Sequence, residues 1–145
     1  MKRNFGRLAG MVIVAIACVV RGADAPATQP ALEPIRYERT GGFAGTHDVV
    51  EITKDGVAAV QGKLLKSGKG QLTADQIAKL APLFANWKDL KASYPAPVGS
   101  ADDFVIKIRY GTQEVIASDI NQALPESFKA AQNAIEAIAR DVGGK

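Results

Sequence analysis

Past its first 25 residues the chain has no cysteine, a single histidine and one tryptophan. The only cysteine, Cys18, sits in an apolar N-terminal run. A disulfide framework and thiol chemistry are thus excluded for the rest of the chain. A standard zinc site draws three or four ligands from Cys, His and carboxylates. His47 alone cannot supply that set, so no metal site is expected. A Ser-His-Asp triad would have to use His47, and no Gly-x-Ser-x-Gly elbow is present. Gly41, Gly42 and Gly45 are not a phosphate loop: no Lys-Ser/Thr follows, and the next element reads as strand. No catalytic residue and no cofactor is assigned, and the chain reads as a non-enzyme.

Long apolar runs are also scarce. The one clear run, Leu8 to Val20, is too short for a comfortable membrane span. Lys2, Arg3 and Arg7 precede it, and Ala23-Asp24-Ala25 follows as a small-x-small cleavage site. Residues 1–25 therefore read as a secretory signal peptide, which implies a secreted or periplasmic protein. Ala15-Ile16-Ala17-Cys18 gives a second reading, a lipoprotein signal with Cys18 as the acylated residue and a membrane-anchored product. Membrane association is expected only in that case.

Neither sign of charge is in excess. The whole chain holds 18 Lys+Arg and 15 Asp+Glu. Lys2, Arg3, Arg7, Arg21 and Asp24 belong to the leader. Taking these four basic residues and one acidic residue away leaves 14 of each. The processed chain is neutral, which gives no support to nucleic acid as a partner. About 120 residues remain, enough for one domain with one core.

Residues 26–34 carry three prolines and read as a Pro/Ala-rich tether. One α+β domain is expected over 35–145. Ile35–Thr40 and Thr46–Lys54 read as strands, with Val50 and Ile52 on one face of the second. Lys54-Asp55-Gly56 predicts a hairpin with a type I′ turn. A third strand is expected from Val57 to about Leu65, then a loose Lys66–Gly70. Thr73-Ala74-Asp75-Gln76 is a capping box. Ile77, Leu80, Ala81, Phe84 and Trp87 follow helical spacing, with Pro82 kinking or splitting the helix.

Phe104, Ile106, Ile108 and Tyr110 alternate with Val105, Lys107 and Arg109, the clearest strand in the chain. Gln113–Ser118 is its hairpin partner. Phe128, Ala131, Ile135, Ile138 and Val142 give a closing helix from Pro125 to about Gly143. The expected fold is an antiparallel sheet of about five strands with two main helices on one face.

Three other groupings invite a function. Asp102-Asp103 reads as a charged lead into the Phe104 strand, or as a calcium or acid/base pair. Trp87 and Tyr94 read as core, or as an aromatic ligand pair. Lys63, Lys66 and Lys69 read as a solvated loop.

The most distinctive stretch is Tyr37-Glu38-Arg39-Thr40-Gly41-Gly42-Phe43-Ala44-Gly45-Thr46. Glycines flank one large aromatic between two strands. Two readings stand. The glycines form a bulge or tight turn and Phe43 packs inward, or they present Phe43 to a partner.

Tyr37–Gly45 resembles the hallmark of the emfourin family, proteinaceous inhibitors of thermolysin-like zinc metalloproteases such as protealysin. Members carry an aromatic-x-Arg-Ser/Thr-Gly-Gly-Phe-Ala-Gly segment, then a helix rich in Ala and Leu, a paired-strand segment and a last helix. Those parts fall here at Tyr37–Gly45, Thr73–Trp87, Ser100–Ser118 and Asp119–Arg140. The signal peptide, the tether and the polar insertion Lys66–Gln71 depart from the simpler members. The resemblance implies a monomeric inhibitor without a cofactor, whose partner is a thermolysin-like metalloprotease. It implies that Arg39, Thr40, Gly41, Gly42, Phe43, Ala44, Gly45, Thr46, His47 and Asp48 meet that partner. Phe43 would suit a pocket for a bulky apolar side chain, and His47 or Asp48 would approach the metal or its polar surroundings. A different class stands beside it: a non-enzymatic, envelope-associated binding or structural module.

Overall fold

The computed structural model describes residues 31–100 and 102–144. The expected signal peptide, Cys18 and the first part of the tether lie outside the described residues. The architecture is α+β. Seven strands form one sheet: β1 (Ile35–Gly41), β2 (Thr46–Ile52), β3 (Val57–Gln61), β4 (Gly68–Gln71), β5 (Ser93–Tyr94), β6 (Phe104–Tyr110) and β7 (Gln113–Ser118). Their order is β4-β3-β2-β1-β6-β7-β5. Among the described residues two α-helices accompany them, α1 (Ala74–Leu80) and α2 (Glu126–Gly143).

The alternation in β1, β2 and β6 decides which face is buried. Ile35 and Tyr37 pair with Ile52 and Val50 on one side and with Tyr110 and Ile108 on the other. These residues meet Phe128, Ala131, Ile135 and Ile138 of α2 in the core. The opposite face is open. Across it Arg36 pairs with Glu51 and Glu38, and Glu38 also with Lys107.

The sheet exceeds the expected five strands, and it is not wholly antiparallel, because β5 runs parallel to β7. The third strand stops at Gln61 and not near Leu65. The backbone turns there so that the N–H groups of Lys63, Leu64 and Leu65 all donate to Asp48 Oδ1. The expected loose segment after it forms the edge strand β4. Gly68 and Gly70 let β4 lie against Val142 and Gly143 at the end of α2.

The turn after β2 also differs from the predicted type I′. Lys54 and Asp55 do not have positive φ; Gly56 alone does, at +77°, and its N–H donates to the Thr53 carbonyl. This is a type I turn followed by a glycine bulge.

Thr73 and Gln76 form the expected capping box, with both reciprocal hydrogen bonds present. The helix ends at Leu80. Pro82 lacks an N–H and its ring crowds the preceding turn. The chain continues as two 3₁₀ turns, Ala81–Phe84 and Trp87–Asp89. The apolar spacing still delivers Leu80, Phe84 and Trp87 to the core. Trp87 stacks near Phe128, with ring centroids 5.9 Å apart. It is core, while Tyr94, seven residues later, is half-buried on the edge strand β5. α2 has Pro125 as its N-cap residue and Gly144 as its C-cap.

Candidate binding hairpin

β1 and β2 are joined by a loop of four residues, Gly42-Phe43-Ala44-Gly45, beyond the last pair Gly41↔Thr46. Gly45 N–H donates to the Gly42 carbonyl at 3.1 Å and closes the turn. Gly41, Gly42 and Gly45 have φ of +113°, +67° and +57°. The first two are also needed for space. A Cβ on Gly41 would lie 2.5 Å from the Asp103 carbonyl oxygen, and one on Gly42 would lie 2.7 Å from the Phe104 ring. Around Gly45 nothing stands within 4 Å, so only its φ demands glycine.

Gly45→Ala is therefore expected to cost about 1–2 kcal/mol of left-handed backbone strain. Gly41→Ala should cost more, because a backbone carbonyl must also move. Thermal unfolding of the two variants checks that order.

Phe43 is 96% exposed. This overturns the reading in which it packs inward. The core-facing ladder ends at Thr46 and Phe104, and the loop carries Phe43 past it. Single exposed apolar residues are ordinary. This one differs in standing on a turn that is pinned at its base.

The pinning begins in the loop before β6. Gly42 N–H donates to the Asp103 carbonyl at 3.1 Å. The Arg39 guanidinium lies over the Phe104 ring, 5.5 Å from its centroid. On the core face Arg39 and Asp48 sit opposite each other in register. Arg39 Nη2 donates to Asp48 Oδ2 at 2.9 Å. Arg39 Nη1 reaches Glu136 Oε1 of α2 at 3.4 Å. The Tyr37 hydroxyl donates to the same oxygen at 2.7 Å. Gln132 Nε2 and Arg140 Nη2 complete the partners of Glu136. The network ties helix α2, both strands of the hairpin and the turn after β3 into one body.

Asp48 is fully buried. Burial opposes its charge. The Arg39 hydrogen bond and the N–H groups of Leu64, Leu65 and Lys63 outweigh that and hold its carboxyl below the usual range. Tyr37 is pushed well above the ordinary tyrosine value, first by burial and then by its bond to the Glu136 carboxylate. The sign of the Asp48 shift fixes a pH dependence. A lowered folded value stabilises the fold above the unfolded aspartate range, near about pH 4, and that stability is lost as pH falls through the folded value. Wild type should therefore lose stability more steeply below about pH 4 than Asp48→Asn, as read by urea midpoints across pH.

The ten residues implied by the resemblance divide into three groups. Phe43, Ala44 and Gly45 form the exposed tip, with Gly41 and Gly42 half-buried at its base. Thr40 and His47 face each other across β1 and β2 on the open face, His47 exposed. Arg39, Thr46 and Asp48 turn to the core face. Thr46 and Asp48 are buried in the domain. They support the tip from below.

Glu136 was not legible as part of this network. Its one signal is a carboxylate beside Ile135 and three positions before Ala139, at the edge of an apolar stripe. Residues 95–100 read as a loop in the sequence, but the place of that loop beside the hairpin depends on the pairing of distant strands. It lies at the same end of the sheet as the tip, since Phe104 pairs with Gly41. It exposes Val98 fully and holds Asp102 at φ +64°. Asp103 serves through its carbonyl. Among the described residues no group of three or more His, Cys, Asp or Glu is placed to hold a metal. No protein-family model matches the chain, and no curated protein matches it.

Proposed function

We propose that the protein is a secreted or periplasmic inhibitor of a thermolysin-like zinc metalloprotease. It acts by filling the active-site cleft with the Gly-Gly-Phe-Ala-Gly hairpin, as a monomer, with no chemistry or cofactor of its own. The observation that carries this reading is the exposure of Phe43 on a turn whose base is fixed by the hydrogen bonds of Gly42 and Arg39. A contact residue already held in place loses little conformational freedom on binding. An apolar ring standing clear of its own fold suits a pocket for a bulky apolar side chain.

The supporting features converge on the same end of the molecule. The Arg39–Asp48 pair and the Asp103 carbonyl stiffen the hairpin. His47 and Thr40 extend the surface onto the open face. Titration of the protein into thermolysin with a quenched peptide substrate tests the proposal. The expected result is loss of activity that saturates near one-to-one, with the inhibitor left uncut. Full activity at micromolar protein, with the domain shown folded, would refute it.

A further inference from the structure

We infer that the domain still binds its partner when the residues that precede it are held at a surface, because the entry of the chain and the contact hairpin stand at opposite poles of the sheet. This rests on the hairpin reading above. The chain enters the domain pinned at one pole. Leu32 is buried in the core. Glu33 N–H donates to the Tyr110 hydroxyl at 3.4 Å, and its carboxylate pairs with Lys54 Nζ at 3.3 Å. The Pro34 carbonyl accepts from Gly111 N–H at 2.9 Å. The entering segment is thus fixed beside two turns, Thr53–Gly56 and Gly111–Thr112.

From Ile35 the chain runs without interruption along β1 to Gly41 and the hairpin tip. At the usual rise of a strand, seven residues place the tip roughly 20 Å from the entry pole. Residues 95–100, Asp102 and Asp103 lie at the far pole as well, since Phe104 pairs with Gly41 and Tyr94 with Ala117. Nothing that holds the chain ahead of Ala31 need cover Phe43.

The charges of the entry pole balance. An open recess of about 840 Å³ there is lined by Arg36, Lys54 and Arg109, with Glu51 and Asp55 among them. Glu33 pairs with Lys54 at its edge. Three basic groups face three acidic ones, so this pole has no net pull toward an anionic surface.

The test holds the otherwise full chain on a surface. A hexahistidine segment is inserted directly before Ala31, and the protein is bound to phosphatidylcholine vesicles carrying a nickel-chelating lipid. Inhibition of thermolysin is measured on vesicles and in solution. The expected apparent constants agree within about threefold. A loss of about tenfold or more on vesicles, with the thermal midpoint unchanged, would overturn the inference. A second variant with the segment between Ala25 and Pro26 repeats the test if the first insertion disturbs Leu32. No inhibition by the free protein would instead defeat the hairpin reading itself, and this inference with it.

Discussion

Asp48→Ala is expected to lower the unfolding free energy by about 3–5 kcal/mol, the range for breaking one partner out of a buried ion pair. Two losses make up this cost. Arg39, whose side chain is 16% exposed, loses its nearest carboxylate and keeps only Glu136 at 3.4 Å. The N–H groups of Lys63, Leu64 and Leu65 lose their shared acceptor in the same step. Each buried donor left without a partner costs on the order of 1–3 kcal/mol. Asp48→Asn keeps an acceptor oxygen for those groups and gives up the charge, so it should cost clearly less. Urea unfolding of both variants measures the difference. Equal and small effects would mean that the turn after β3 finds its acceptors elsewhere.

The second large effect concerns binding and leaves stability alone. Phe43→Ala should weaken inhibition of a thermolysin-like protease by about 30-fold or more, as expected for an aromatic anchor worth 2 kcal/mol or above. The thermal midpoint should stay within about 2 °C, because an exposed side chain has no packing to lose. His47→Ala, on the open face beside the tip, is expected to cost less. An exposed side chain at the rim of a contact contributes little compared with one that fills a pocket.

Much of this fold could be read from local pattern. The alternation of Phe104–Tyr110 and the spacing of Phe128, Ala131, Ile135 and Ile138 each reflect a single element with one buried face, and both stand where expected. The capping box at Thr73 is a local device as well. What was not legible depends on distant residues. Gly68–Gln71 has no apolar pattern and becomes a strand only because β3 and the end of α2 give it a place. The two-residue β5 exists through its pairing with Ile116 and Ala117. Leu64 and Leu65 follow the apolar Val57–Val60 after three residues, yet a carboxylate 16 and 17 positions back draws their N–H groups out of the strand.

The hairpin divides the same way. Its two strands and its glycines are written in the sequence, whereas the direction of Phe43 is decided by where the core ends. The placement of Arg39 and Asp48 was available in principle. Arg39 continues the inward alternation of Ile35 and Tyr37, and Asp48 precedes Val50 and Ile52 on the same face. Their charge argued for the surface; the period of two argued for the core and prevailed, because the two side chains meet each other there.

The most direct test of cleft occlusion is competition. Binding of the protein to thermolysin is measured by calorimetry with and without a saturating small inhibitor that coordinates the zinc and fills the apolar pocket beside it. Occlusion through Phe43 predicts that the small inhibitor abolishes binding of the protein. Simultaneous binding of both, with unchanged affinity, would contradict it.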